Sequence, residues 1–214
     1  MRDKVNDKAM RKRESLQMVR LERMADVIYA IIIWRCFVLL PRPTEEQWNW
    51  EFIGTFFGDN VIAFLVVFIG ITFTIVYWIQ SNILFGNLRG TDSRHAILSI
   101  LQLFFLLIFL VSLRLHIEIG SSTGTRLFES IAAALVGIAG SWGWSYAIKN
   151  HRLLLPEVTE QYAYQLRNRF LAEPITAIIT ILMAFFGPIL WEISWFTYPL
   201  VVWLINQRGL RKII

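Results

Sequence analysis

The sequence has few of the residues that support disulfide, metal or hydrolytic chemistry. Its single cysteine, Cys36, has no partner for an intrachain disulfide, and its three histidines lack the spacing of metal ligands. It contains no HExxH motif, and most stretches between apolar segments are too short to form an active-site domain. These absences indicate a protein that is not an enzyme and that holds no cofactor and no metal ion.

Charged residues are also scarce, at 17% of the chain, whereas apolar residues make up 56% and the mean hydropathy is +0.51. The charges fall in short segments between long apolar runs, which excludes an ordinary water-soluble domain and indicates an integral membrane protein. The net charge of +5 and the pI near 9.6 could suggest a nucleic-acid partner, but basic cytoplasmic loops give the same excess. We therefore expect a lipid bilayer and no nucleic acid as partner.

The apolar runs predict an all-α membrane fold, because a bilayer core of about 30 Å requires about 20 helical residues. Gly187 and Pro188 break the apolar sequence near the C-terminus and predict a turn between two antiparallel helices. Six transmembrane helices result: Met24 to Leu40, Asn60 to Leu84, Ala96 to Leu113, Leu127 to Ile148, Pro174 to Leu190, and Ile193 to Ile205.

Basic residues are distributed unequally between alternate loops of this topology. Seventeen Lys and Arg residues fall on one side, only Arg42, Arg114 and Arg126 fall on the other, and Arg35 lies within the first span. The excess predicts that both termini are cytoplasmic. Tryptophans are expected as aromatic belts, with residues 48, 50, 191 and 195 at the outer interface and residues 78, 142, 144 and 203 at the inner one.

The chain is expected to form one membrane domain, residues 24–205, flanked by a basic N-terminal segment, residues 1–23, and a basic tail, residues 206–214. The N-terminal segment is too polar for a secretory signal and is interpreted as a cytoplasmic helix near anionic headgroups, or as a partner-binding helix. In the fourth span, small residues recur every four positions and predict close helix packing: Ala133, Gly137, Ser141 and Ser145.

Two charged residues within the first span, Asp26 and Arg35, require explanation because such charges normally face protein or water. At 100° per residue, Arg35 shares one face with Val27, Ile31, Trp34 and Val38, whereas Asp26 lies about 140° from Ile31. Asp26 is interpreted as a structural anchor, held by Arg23 or by Gln80 and Asn82 at the end of the second span. Arg35 either pairs with Glu45, Glu46 or Glu51 in the outer loop or faces an aqueous path.

Several stretches resemble, in order, those of the transmembrane protein 175 family in its prokaryotic six-helix potassium channel branch. Arg20, Met24, Ala25 and Asp26 match the first-helix signature Arg-x-x-x-Phe-Ser-Asp. The other matching stretches are Tyr77 to Phe85, Arg89 to Leu107, Trp144 to Leu155, and the two prolines Pro188 and Pro199.

The resemblance implies a homotetrameric, potassium-permeable channel in a prokaryotic plasma membrane, with the first helix of each subunit lining the pore. Ile31 would be the principal residue of a hydrophobic constriction, with Val38 further out. The first-helix motif and its supporting network would comprise Arg20, Met24, Ala25, Asp26, Trp78 and Gln102.

The chain departs from the family at the motif, where Met24 and Ala25 replace Phe and Ser, and at the pore face, where Trp34 and Arg35 replace small or aliphatic residues. A ring of arginines would oppose potassium flow. Two functions are therefore considered as alternatives to a cation channel. The same fold could have anion-favouring or closed permeation, or the chain could be a non-conducting membrane scaffold.

Overall fold

A computed structural model describes residues 2–46, 48–50 and 52–210, and within these residues the chain is α-helical, with one isolated bridge between Leu88 and Leu154. Short 3-10 turns at Lys149–His151 and Ala184–Phe186 interrupt the helical order. The eight α-helices are α1 Arg2–Val38, α2 Ile53–Asp59, α3 Val61–Gly86, α4 Ser93–Ile119, α5 Thr123–Ile148, α6 Glu160–Met183, α7 Pro188–Trp195 and α8 Tyr198–Leu210.

The first helix is 37 residues long and passes without a break through the domain boundary expected at residue 23. No Gly or Pro interrupts it, and it ends shortly before Pro41 and Pro43, which cannot continue a helix. One side of α1 packs on α3 and α4 through buried residues at helical spacing, namely Met18, Leu21, Ala25, Tyr29, Ile32 and Cys36. The expected basic tail lies partly outside the described residues, because the structure describes the chain only as far as residue 210.

Four helices are long and apolar enough to cross a membrane, and a fifth crossing results if α7 and α8 form one bent span. These helices confirm an all-α membrane protein. The first of the six expected spans lies in α1 but is not among the four, because the last 18 residues of that helix contain four charges: Glu22, Arg23, Asp26 and Arg35.

The C-terminal helices differ from the expected boundaries. The prediction that the fifth span extends to Leu190 is wrong, because α6 ends at Met183 and Gly187 takes a φ of 109°, which favours glycine. Pro188 then begins α7, as proline commonly does at a first helical position. The expected sixth span is also broken, since α7 and α8 meet at an angle of 43°. Both helices pack against α6.

The small-residue stripe on α5 packs against α6, which confirms its predicted role. A Cβ atom added at Gly137 would lie 2.8 Å from Cδ and 2.9 Å from the backbone nitrogen of Pro174. One turn further along, the Ser141 hydroxyl donates a hydrogen bond of 3.0 Å to the Phe170 carbonyl. Small residues therefore let the two helix backbones approach closely enough for polar contacts between them.

Gly137→Ala is expected to destabilise the protein by about 1–3 kcal/mol, because the new methyl group would overlap backbone atoms that cannot rotate away. Gly143→Ala on the same helix is the matched control, since its Cβ would meet Leu98 Cβ at an ordinary 3.6 Å. Thermal unfolding of both variants in detergent gives the comparison. Equal unfolding temperatures would show that the Gly137 contact is not a tight one.

Two tryptophans expected in the aromatic belts are instead buried. Trp144 donates from Nε1 to the Ala163 carbonyl at 3.1 Å, and Trp191 donates to the Ser130 hydroxyl at 2.8 Å. Both rings lie between helices, where the indole N–H needs a protein partner because lipid supplies none. The belt interpretation is therefore wrong for these two residues.

Candidate functional site

One face of α1 is not covered by any other part of the described chain. Four residues on the face that was predicted to line a pore, Val27, Ile31, Trp34 and Val38, are all exposed, with Trp34 at 68% and Ile31 at 49%. The opposite side of the same helix is buried, and Ile32 and Cys36 there are each only 1% exposed. Helical periodicity thus separates α1 into a packed side and an unpartnered apolar side.

Arg35 lies at the end of this unpartnered side and is exposed. It forms no ion pair with any described residue, so the predicted pairing with Glu45 or Glu46 is absent, while Glu51 lies outside the described residues. An arginine in a membrane span costs roughly 2.5–3.5 kcal/mol on insertion scales unless it meets protein or water. The unpartnered side of α1 is therefore unsuited to full contact with lipid.

Asp26 and Trp78 are joined directly, since the Trp78 indole donates to Asp26 Oδ1 at 2.9 Å. This hydrogen bond connects α1 to α3 across 52 positions of sequence. Asp26 forms no ion pair with Arg23, and Gln80 lies instead in a separate buried cluster. The anchor of Asp26 is thus an indole N–H rather than the arginine or amides first considered.

No described side-chain hydrogen bond joins the other residues of the expected supporting network to this pair. Ala25 is buried, Met24 packs against the core, and Arg20 is exposed. Gln102 lies on α4 against Gly140 of α5, and no described hydrogen bond joins it to Asp26 or Trp78. The role of these four residues stays a prediction.

A half-buried carboxyl group within α6 was not expected from the sequence. Glu173 lies inside a helix that is long enough to cross the membrane, near the side chains of Tyr77 and Gln80 on α3. Acidic groups at such depth normally face protein groups or water. The only sequence signal for Glu173 is its position directly before Pro174 in an apolar stretch.

These features define an all-α membrane protein with one charged, unpartnered helix face, and comparison with known proteins extends that description. No protein-family model matches the chain, and no curated protein matches its sequence. The fold is similar to that of the potassium channel MtTMEM175, crystallised as a single-residue variant in complex with a nanobody-MBP fusion protein. The TM-score is 0.62, the identity is 17%, and the match covers 90% of this chain and 92% of the channel chain.

Proposed function

We propose that this protein is a potassium-permeable cation channel in which four copies surround a central pore lined by α1. The unpartnered face of α1 carries this proposal, because it combines apolar residues with Arg35 and is unsuited to lipid. The shared fold with a potassium channel supports the proposal over nearly the whole chain.

In this proposal Ile31 forms the narrowest part of the pore, and Val38 lies one to two turns further out. Both are exposed aliphatic residues on the same face of α1. A ring of such side chains can exclude water when narrow and pass hydrated ions when wider. The pore would then be gated by dewetting rather than by a charged filter.

The orientation is part of the same proposal, with six crossings per subunit and both termini in the cytoplasm of a prokaryotic cell. The C-terminal half of α1 would supply the first crossing, and α7 with α8 the last. The excess of basic residues in alternate loops supports this arrangement.

Ile31→Cys is expected to make potassium flux sensitive to a cationic thiol reagent. A bulky positive group attached at the constriction should reduce flux through proteoliposomes about tenfold or more. The wild-type protein is the first control, because its only cysteine, Cys36, is buried. Ile100→Cys on α4 is the second, since Ile100 is 46% exposed, close to the 49% of Ile31.

Mass spectrometry reports whether the new cysteine has reacted. A labelled Ile31→Cys protein with unchanged flux would place this residue outside the pore. An unlabelled cysteine in proteoliposomes that conduct potassium would show that the ion path does not pass this residue, and either result contradicts the proposal.

A second candidate function is a channel of the same fold that favours anions or stays closed. It is supported by Arg35, which lies on the same face and has no ion-pair partner among the described residues. Four such cations would favour anions or keep the pore closed to potassium. A non-conducting scaffold is the third candidate, and proteoliposomes that stay impermeable to every ion would favour it.

A further inference from the structure

Five basic side chains surround one cleft at the end of the helical bundle where α4 begins and α5 ends. The cleft has a volume of about 760 Å³. Its basic lining residues are Arg89, Arg94, Lys149, His151 and Arg152, and these residues define the basic cleft.

Backbone hydrogen bonds between two loops fix the shape of the basic cleft. Arg89 N donates to the Leu153 carbonyl at 2.9 Å, and Leu155 N donates to the Asn87 carbonyl at 3.0 Å. Asn150 and His151 both take positive φ angles, 58° and 51°, which reverse the chain after α5. Two adjacent non-glycine residues in this conformation are uncommon, and such strain persists only where surrounding contacts enforce it.

Two contacts position the Arg152 guanidinium within the basic cleft. Its guanidinium carbon lies 5.1 Å from the centre of the Tyr146 ring, and Nη2 lies 3.2 Å from Asp92 Oδ2. Burial opposes ionisation of Asp92, but hydrogen bonds from the His95 backbone and the Tyr146 hydroxyl, together with Arg152, lower the pKa of this carboxyl below its ordinary value. Asp92 is thus ionised at neutral pH and neutralises Arg152.

The other basic residues of the cleft differ in their acidic neighbours. The Glu160 carboxylate lies 3.4 Å from His151. Arg89, Arg94 and Lys149 have no carboxylate partner among the described residues. Three guanidinium and ammonium groups around one open cleft create a positive potential that an anion would reduce.

The position of the basic cleft indicates which anion fits. One candidate membrane crossing begins at Ser93 and another ends at His151, so the cleft lies at the level where lipid headgroups meet water. Thr91 N donates to the Glu14 carbonyl at 3.2 Å, so the basic N-terminal part of α1 approaches the same end of the protein. Basic pockets between membrane helices at this level bind phosphorylated lipid headgroups.

We propose that the basic cleft binds the phosphate group of an anionic lipid headgroup, with Arg89, Arg94 and Lys149 as the binding residues. The site is separate from the α1 face and does not depend on whether the chain conducts ions. Arg94 and Lys149 are the residues to test, because neither side chain takes part in the contacts that position Arg152 or join the two loops.

The test measures lipid binding to the purified full-length protein by native mass spectrometry, with phosphatidylglycerol as anionic probe and phosphatidylcholine as zwitterionic probe. The double variant Arg94→Gln/Lys149→Gln should weaken phosphatidylglycerol binding about 30-fold, as expected for the loss of two cations at a membrane surface. Phosphatidylcholine binding should not change. Arg114→Gln, which removes one cation from the opposite end of α4, should leave both affinities within about twofold.

Three results would overturn the proposal. Unchanged phosphatidylglycerol binding in the double variant would show that the basic cleft is not the site. An equal loss in Arg114→Gln would show a general charge effect. Displacement of the lipid by millimolar inorganic phosphate would assign the cleft to a soluble phosphate instead. If the double variant does not fold, the two single variants are compared in the same assay, each with an expected loss of about fivefold.

Discussion

Replacing Arg35 by glutamine is expected to raise the potassium conductance of the reconstituted protein about fiftyfold. A guanidinium group about 7 Å from a potassium ion raises the energy of the ion by about 0.6 kcal/mol at the dielectric constant of water, and the four copies of the proposed tetramer would add about 2.4 kcal/mol. The penalty is larger, about 2 kcal/mol per group, at an effective dielectric constant of 20. The glutamine side chain keeps a similar size and removes only the charge.

The measurement is the current through planar bilayers in asymmetric potassium chloride, which reports conductance and reversal potential together. A wild-type reversal potential near that of chloride, and a shift towards that of potassium in Arg35→Gln, would favour the anion-selective alternative for the natural protein. Arg42→Gln is the matched control, because it removes the same charge from an exposed position seven residues later, beyond the end of α1. If Arg35→Gln behaves as Arg42→Gln does, Arg35 is not in the ion path.

Features that depend on the spacing of residues within one helix could be predicted from the sequence. The stripe from Ala133 to Ser145 is such a feature, because its small residues predict the close approach of another helix, although they do not identify Pro174 of α6 as the contact. The division of α1 into two sides is another, because Ile31 and Ile32 differ by 100° in direction and therefore in burial. The break at Gly187 and Pro188 is the third, since glycine and proline restrict the backbone locally.

Features that depend on a partner from another helix could not be predicted. The expected fifth span began at Pro174 and so excluded Glu173. A carboxylate lowers the hydropathy of a segment whether or not it has a neighbour in the folded protein, so hydropathy alone ends the span before it. The side chains near Glu173, those of Tyr77 and Gln80, lie almost one hundred positions earlier. The hydrogen bond between Asp26 and Trp78 also joins two helices, and only the family resemblance placed these two residues in one network. Neither contact has a periodic signal in the sequence.

Arg126 is the clearest example of such a residue, and its loss is expected to have the largest effect on stability. The count of basic residues assigned it to a loop on the side with few of them, whereas the structure buries it at the start of α5. Its Nε and Nη2 atoms both donate to the Ala184 carbonyl at 3.1 Å, and Nη1 donates to the Ser121 carbonyl at 2.8 Å. Arg126 therefore joins the end of α6 to the turn before α5.

Arg126→Met is expected to destabilise the protein by about 3 kcal/mol, because methionine keeps the apolar stem but leaves the Ala184 and Ser121 carbonyls without these donors. For a chain of this length the unfolding temperature should fall by about 6–12 °C. Arg126→Lys should recover only part of the loss, since one ammonium group cannot reproduce the planar fork of donors. Thermal unfolding in detergent micelles measures all three proteins.

Arg114→Met is the matched control, because Arg114 is also on the side with few basic residues but is 62% exposed and pairs only with Glu118 on its own helix. An exposed pair of this kind contributes at most about 0.5 kcal/mol, so this variant should unfold close to the wild type. A similar loss in both variants would mean that positive charge on this side stabilises the protein in a general way. A large loss confined to Arg126→Met would instead show that hydrogen bonds to the two carbonyls hold the turn between α6 and α7 against α5.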